Sequence, residues 1–200
     1  MAKADWVKTN PSSGSGDATV NVSANKHTGR VARTTVLTWK ASNVKNVERT
    51  VSQAGTPENV DIDDAATADQ AGKIVTISGE SNSSILTFRL GDGDLQLTLP
   101  STYVANSISV GNGAAITGDP GAVAAYPFSI TFDVPANPGT KALTRQIIVR
   151  DAAGHEDVCL LTLAAGDAYI TIEGKDIIEL DNLGTPVAVE VKSNTTWTVE

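Results

Sequence analysis

The residues that could act as nucleophiles or bases are few and lie far apart in the chain. The two histidines, His27 and His155, both fall in stretches predicted to be loops, and the single cysteine, Cys159, sits in the apolar run VCLLTL. Ser15 belongs to a Gly-Ser-Gly turn and not to the strand-to-helix elbow of hydrolases. Nucleophilic catalysis needs a Ser or Cys beside a base. The sequence therefore predicts a protein without enzymatic activity, with Cys159 packed as a small hydrophobe.

Carboxylates are the second group of residues that could do chemistry. Asp61, Asp63 and Asp64 cluster in an acidic stretch, and Asp92 and Asp94 flank a glycine in GDGD. Neither group has the Asp-x-Asp-x-Asp-Gly spacing of a dedicated calcium loop. The first cluster is open to two interpretations, calcium binding between modules or a solvated acidic linker, and the linker is favoured. No metal and no cofactor are predicted.

The three tryptophans raise the question of sugar binding, because exposed indole rings can stack on carbohydrate. Trp6, Trp39 and Trp197 each lie in a stretch with strand character. Strand tryptophans pack in a core or along a sheet edge, and that interpretation is preferred here. A glycan remains the alternative ligand.

Composition limits the partners of this 200-residue chain. Its formal net charge is −8, and the lysines and arginines are scattered along the sequence. Nucleic acid and anionic membranes both select clustered basic residues, so neither is expected as a partner. One cysteine permits no disulfide within a single chain. No signal peptide follows Met1 and no apolar run is long enough to span a bilayer, so synthesis in a cytoplasm is expected, with assembly there unless another export route exists.

An internal repeat organises the chain. Residues 181–200 match residues 69–88, with Asn194 against Asn82 at an offset of 194 − 82 = 112. The same offset recurs upstream, and near the ends of the matched stretches it is 166 − 55 = 111. The matching positions are Asp69 with Asp181, Gly72 with Gly184, Val75 with Val187, Asn82 with Asn194, Asn25 with Asn137, Arg33 with Arg145, and Gly55 with Gly166. Such a period is typical of a β-sandwich module.

The repeat predicts an unusual domain plan. Residues 1–56 are the second half of one module, residues 57–167 are a complete module, and residues 168–200 are the first half of another. The final stretch turns at Ser193-Asn194 and begins a further strand at Trp197, where the sequence stops. The missing remainder is expected to come from residues 1–56, of the same copy or of a neighbouring one.

The elements that carry these residues are all predicted to be strands and turns. Residues 18–23 alternate apolar and polar side chains, and Leu86–Leu90 and Leu95–Leu99 flank GDGD as a hairpin. Residues 56–69 are predicted to be an acidic linker. In the complete module 137 − 82 = 55 positions separate Asn82 from Asn137. In the split module, read with Glu200 joined to Met1, (200 − 194) + 25 = 31 positions separate Asn194 from Asn25. The excess of 24 predicts an inserted surface loop at about 104–126.

The chain resembles the BACON family, the Bacteroidetes-associated immunoglobulin-like sandwich modules named for suspected carbohydrate binding. The resemblance rests on Trp6-Val7, on the PSSG and VNVSAN runs, on Arg33 before a β-branched strand, and on the ending SQAG. The family's S-N-x-x-W-x-V segment stands at Ser193 to Val199, so Glu200 joined to Met1 reads as an uninterrupted member. The match is weaker over 57–167. It implies an all-β protein of immunoglobulin-like sandwiches, one complete and one split between the termini.

The resemblance implies a structural protein of a virion. BACON-like modules occur in bacteriophages of gut Bacteroidetes such as the crAss-like group, in head-decoration and fibre proteins. We therefore expect a head-decoration (auxiliary capsid) or tail protein that joins copies of itself by strand complementation and contacts other virion proteins such as the major capsid protein. The strand-complementation residues are expected to be Val187, Val189, Val191, Trp197, Val199, Trp6, Val20 and Val22. Contacts of the insertion are expected at Ile108, Val110, Ile116, Val123 and Tyr126.

Two alternatives stay open at this point. A monomer whose two half-modules close in cis, as a permuted two-domain protein, would bind a glycan or a cell surface. A fragment of a longer array would have its function elsewhere. Both alternatives are compatible with the repeat, and the sequence does not decide between closure in cis and closure in trans.

Overall fold

The computed structural model describes residues 3–174 and 176–200, whose regular elements are fifteen strands and one 3-10 turn, Gly121–Val123. The protein is thus all-β, as predicted. The strands are β1 (Val7–Asn10), β2 (Asn21–Ala24), β3 (Arg33–Trp39), β4 (Val47–Gln53), β5 (Val60–Ile62), β6 (Ala65–Ala68), β7 (Lys73–Ser81), β8 (Leu86–Gly93), β9 (Thr102–Ala105), β10 (Ile108–Gly111), β11 (Tyr126–Val134), β12 (Leu143–Asp151), β13 (Glu156–Leu163), β14 (Ile170–Glu173) and β15 (Glu190–Ser193).

The middle of the chain forms a two-sheet sandwich. One sheet has the order β10-β9-β11-β7-β5, and the facing sheet has the order β6-β13-β12-β8. The alternation along β11, YPFSITFDV, buries every second residue, which is the pattern of a strand with one face on a core. The longest ladder joins β11 to β7, from Tyr126 opposite Ser81 to Val134 opposite Lys73.

The core of this sandwich is apolar and continuous across the two sheets. Phe88 is its centre, with ring centroids 4.9 Å from Tyr103 and 5.8 Å from Phe128 in tilted and edge-on arrangements. The other large, fully buried side chains of the cluster come from both sheets and from the segment after β8: Phe132, Ile77, Leu86, Leu95, Ile130, Ile147, Leu161 and Leu163.

The first strand of the sandwich changes sheet part-way along. β5 pairs antiparallel with β7, and after Asp63-Asp64 the chain continues as β6, which pairs parallel with β13. Residues 56–69 were predicted to be an acidic linker, and that prediction is wrong. Ile62 and Ala68 are buried in the core, because each alternate residue of these short strands faces inward. The acidic side chains lie at outward positions, so this stretch is acidic in sequence although it forms strands.

The predicted hairpin around GDGD is also wrong. β8 runs through Leu90 to Gly93 along β12, and residues 95–99 form no strand. A Cβ on Gly93, which has φ +141°, would lie 2.1 Å from the Thr144 carbonyl oxygen. The glycines of GDGD therefore permit close backbone packing and do not form a turn. Leu95 then enters the core.

The insertion at about 104–126 is more ordered than the predicted surface loop. β9 and β10 form a hairpin that extends the sheet beyond β11. Its two-residue turn, Asn106-Ser107, has φ values of 49° and 65° at its central residues. Positive φ at both positions is what a twisted two-residue hairpin requires, and asparagine tolerates it. The turn carried no glycine to reveal it in the sequence.

Three two-stranded pieces flank the sandwich: β1-β2, β3-β4 and β14-β15. The strand predicted at residues 18–23 is shorter and shifted, as β2. No strand follows Ser193 in residues 194–200, so the strand expected to begin at Trp197 is not formed. Among the residues that the structure describes, no helix has the length and apolar character needed to cross a membrane.

Candidate assembly interface

The complete sandwich is organised at one end by a buried asparagine. Asn82, directly after β7, accepts a hydrogen bond from the Asn59 backbone N–H at 2.8 Å and donates to the Pro57 carbonyl at 3.1 Å. The neighbouring Ser81 hydroxyl donates to the Asn59 carbonyl at 2.7 Å. Together these bonds fix the chain that enters β5 against the end of β7.

The final segment repeats this arrangement atom for atom. Asn194, after β15, accepts from the Tyr169 N–H at 3.0 Å and donates to the Asp167 carbonyl at 2.9 Å. The Ser193 hydroxyl donates to the Tyr169 carbonyl at 2.9 Å. The ladders agree as well, since Ile170 lies opposite Ser193 as Val60 lies opposite Ser81. Residues 168–200 thus form the counterpart of the first strands of the sandwich.

In the part of the chain that the structure describes, no sheet covers this counterpart. Val75 and Ile77 in β7 are 6% and 0% exposed, whereas their repeat partners Val187 and Val189 are 49% and 39% exposed. None of the described residues in 168–200 is buried. The other apolar side chains left on this surface are Tyr169, Ile170, Ile172, Ile177, Ile178, Leu180, Leu183, Trp197 and Val199, with Val191 half-buried. Exposed apolar surfaces of this kind are typical of interaction sites.

The first 56 residues form the opposite half of a sandwich. β2, β3 and β4 correspond to β11, β12 and β13, with Arg33 at the position of Arg145. Val22 in β2 is 44% exposed, and Val20, directly before β2, is half-buried. Their repeat partners Val134 and Phe132 are 2% and 1% exposed in the complete core. Within residues 3–56 the fully buried apolar side chains are Val7 and Leu37.

An open groove runs along this half. It has a volume of about 670 Å³ and is lined by Thr9, Val20, Leu37 and Trp39 together with the PSSG turn. The final segment has a comparable cleft of about 550 Å³, lined by Ile172, Ile177, Ile178, Val187 and Val189 among others. The first half therefore has an open groove of mixed polar and apolar lining, and the final segment has an open cleft with several apolar side chains along it.

Trp6 packs on the first half in a way that depends on Arg33. The guanidinium carbon lies 4.5 Å from the indole centroid, within cation–π range. Arg33 Nε and Nη2 donate to Gln53 Oε1 at 3.0 and 2.8 Å, and Nη2 also donates to the Asn25 carbonyl at 3.0 Å. Trp6 is half-buried.

The two halves contact opposite ends of the complete sandwich. In the first half, Arg30 donates to the Asn82 carbonyl at 2.6 Å and pairs with Asp119 at 2.8 Å. In the final segment, Asn194 Nδ2 donates to the Pro138 carbonyl at 2.9 Å. Asn82 and Pro138 lie at the two ends of the nine-residue β7–β11 ladder, roughly 30 Å apart at the usual rise per residue. No hydrogen bond or ion pair joins residues 3–56 to the described part of 168–200.

The five insertion residues divide into two groups. Val110, Ile116 and Tyr126 are buried in the core of their own sandwich, and the Tyr126 hydroxyl donates to the Ser83 carbonyl. Burial leaves these three no surface with which to contact a neighbour, which corrects their assignment as contacts. Ile108 and Val123 are 38% and 61% exposed and stay available.

Both histidines hold turns. His155 Nδ1 lies 2.7 Å from Asp151 Oδ2, and the same carboxylate accepts the His155 backbone N–H at 2.8 Å across the β12–β13 turn. His27 Nε2 lies 2.8 Å from the Val31 carbonyl oxygen. In the part of the chain that the structure describes, no three His, Cys, Asp or Glu side chains are placed to hold a metal ion.

A comparison with protein-family models and a comparison with curated proteins both found no match to this chain.

The predicted repeat did not include one further match within the sequence. Residues 5–12 read DWVKTNPS, and residues 94–101 of the complete sandwich read DLQLTLPS. Asp, Thr, Pro and Ser coincide, four of the eight positions. The match is found only when Glu200 is joined to Met1, because Asp5 then lies 5 + 200 − 94 = 111 positions after Asp94, in agreement with the offset found elsewhere. Trp6 is therefore the counterpart of Leu95.

Proposed function

We propose that this protein is a non-enzymatic structural subunit of a virion that joins copies of itself by β-strand complementation. Residues 168–200 of one copy complete residues 1–56 of the next into a second sandwich. The observation that carries the proposal is the pair of open apolar faces, because each face corresponds through the repeat to half of one complete core. We further propose that both modules are immunoglobulin-like, which the strand order of the two sheets supports.

The complete sandwich predicts the register of the joint. Val75 pairs with Phe132 in the β7–β11 ladder. At an offset of 112 these positions become Val187 and Val20. Added strands satisfy open backbone edges, and burying each valine contributes about 1.5–3 kcal/mol. The apolar faces therefore supply a driving force for assembly.

The position of the halves favours joining between copies. They contact opposite ends of the complete sandwich, so a head-to-tail contact between copies generates a chain or a closed ring. The net charge of −8 is consistent with a protein partner. Together with the resemblance to BACON-like modules of crAss-like phages, this supports a head-decoration or tail protein that contacts its own copies and a major capsid protein.

Cysteine cross-linking between copies tests the joint and its register. Val20→Cys protein and Val187→Cys protein are purified separately, mixed and oxidised. A disulfide-linked heterodimer is expected, since paired strand residues lie within bridging distance. Native Cys159 does not interfere, because burial raises the pKa of its thiol to about 11 and keeps it protonated.

The matched control replaces Val187→Cys by Val191→Cys, four residues along the same face. Efficient cross-linking of the control pair would contradict the register. Light scattering over a concentration series, with and without residues 181–200, tests the joining itself. Oligomers of the full chain and monomers of the shortened chain are expected. A full chain that stays a stable monomer while the shortened chain unfolds would place closure in cis.

A monomeric glycan-binding protein is the second candidate. The exposed rings of Trp39 and Trp197 favour it, because indole faces open to solvent can stack on sugars. In the joined sandwich Trp197 would occupy the position of half-buried Ile85, which leaves it less surface for a sugar. Binding on a glycan array by a monomeric chain would support this candidate over the first.

A further inference from the structure

We propose that residues 5–12 are a two-position switch that guards the joint, an inference that rests on the proposed function. In the free chain this segment forms β1 and covers part of the edge of β2 that the incoming copy must use. In the joined state it moves to the position that residues 94–101 occupy in the complete sandwich. The half-module thereby exchanges a strand of its own for a strand of its neighbour.

The edge that β1 occupies is identified by one repeated hydrogen bond. The Asn25 N–H donates to the Trp6 carbonyl at 2.9 Å, and its repeat partner Asn137 donates to the Gln70 carbonyl at 2.7 Å. Because alternate amides of a strand point to the same edge, β1 lies on the edge that corresponds to the β7 side of β11. Gln70 leads into β7, and its repeat counterpart is Asn182.

The incoming strand and β1 therefore overlap. Thr9 lies opposite Val22 in the free chain. In the complete sandwich Lys73 lies opposite Val134, so the repeat places Thr185 of the completing copy opposite Val22. One strand edge pairs with one neighbour at a time. Completion in the expected register requires β1 to leave β2.

The complete sandwich also shows where the displaced segment goes. Leu95, the counterpart of Trp6, is 1% exposed in the core. Its carbonyl accepts a hydrogen bond from Arg145 Nε at 2.7 Å, and its N–H donates to the Thr144 carbonyl at 2.9 Å. Arg33, the counterpart of Arg145, would make the same bond to the carbonyl of Trp6. Arg33 therefore contacts Trp6 in both positions. Its guanidinium lies over the indole ring in the free chain, and it would donate to the Trp6 carbonyl in the joined state.

The free position has a use of its own. An open strand edge pairs with unrelated strands, and proteins commonly cover such edges. β1 covers residues Asn21 to Ala24 and keeps Val7 fully buried while no neighbour is present. The switch therefore delays pairing until a strand arrives that forms the longer ladder and the larger core.

A reversible disulfide lock tests the switch. Lys8 and Ser23 are paired across β1 and β2, and both side chains face solvent. In a full chain carrying Lys8→Cys and Ser23→Cys, oxidation should hold β1 on β2. The expected result is loss of oligomers in light scattering when the lock is oxidised, and their return when it is reduced. Oligomers of the oxidised protein equal to those of the reduced protein would overturn the switch.

A matched lock controls for folding and for oxidation. Thr34 and Ser52 are paired across β3 and β4 and are also exposed, but the proposal leaves this pairing unchanged on joining. Thr34→Cys with Ser52→Cys should assemble whether oxidised or reduced. If oxidation of this pair also abolished oligomers, the loss would be unspecific and the switch would lose its support. If the reduced proteins and wild type are all monomeric, the proposed joining itself fails, which is a different pattern.

Discussion

Asn82 and Asn194 make the same hydrogen bonds in two surroundings. Asn82 is buried at the end of a finished sandwich, and Asn194 stands at the end of an open one. The value of such bonds depends on their exposure, because an unpaired polar group in water finds another partner at once. A comparison of the two residues therefore distinguishes the local hydrogen-bond geometry, which they share, from the stability of a completed core, which only Asn82 belongs to.

Replacing each asparagine by alanine should have unequal effects on the complete sandwich. Asn82→Ala leaves the Asn59 N–H and the Pro57 carbonyl without their partner, and we expect a loss of about 1–3 kcal/mol in its unfolding free energy. Asn194→Ala should change that unfolding free energy by less than about 0.5 kcal/mol, because Asn194 is only half-buried and lies outside this core. Urea unfolding followed by circular dichroism measures both, and equal losses would contradict the account.

At the scale of elements, the hairpin β9-β10 and the segment that follows it have an inward and an outward side. Their inward residues extend the core, and the outward residues Ile108 and Val123 are exposed. Removal of the whole insertion would therefore remove part of the core. Deletion of residues 104–126 is therefore expected to destabilise the sandwich, and substitutions at the two exposed residues test the surface without removing core side chains.

Surface substitutions should separate contact from stability in this element. Ile108→Asp with Val123→Asp is expected to reduce incorporation into particles, since charge on an apolar contact must be desolvated, while the unfolding free energy changes little. The control, Val110→Ala, should lower the unfolding free energy by about 1–3 kcal/mol. Unchanged incorporation of the double variant, measured by quantifying the protein in purified particles, would exclude this surface as a contact.

At the scale of the whole molecule, the chain contains one finished core and two unfinished ones. The finished core depends only on its own chain. In the proposed assembly the composite core forms only with a second copy, so its stability follows the law of mass action. A protein built this way has one stability that is intrinsic and one that depends on concentration.

Calorimetry over a range of protein concentrations should resolve the two cores. We expect two transitions, of which one keeps its Tm at all concentrations and the other rises in Tm as the concentration rises. The second should be absent when residues 181–200 are removed. Two transitions that are both independent of concentration would indicate closure within one chain. The measurement needs no assumption about register or about the virion.

Much of the architecture could be predicted from the sequence because it depends on local periodicity. The strand and turn patterns predicted an all-β chain, and the match of Asn194 with Asn82 predicted that the two stretches are equivalent parts of a module. The errors lie where short elements depend on distant partners. The strands β5 and β6 are three and four residues long and are recognisable only through their pairing with β7 and β13.

The candidate interface divides in the same way. Alternation predicted that Val20 and Val22 lie on one face of a strand, because side-chain direction follows the two-residue period. Burial of Val110, Ile116 and Tyr126 was not visible, since it depends on how the β9-β10 hairpin folds against β11 and β8. The sequence by itself determined the all-β class and the 112-residue repeat. Only the tertiary structure decided which apolar faces are covered, because covering a face requires contacts between strands far apart in the chain.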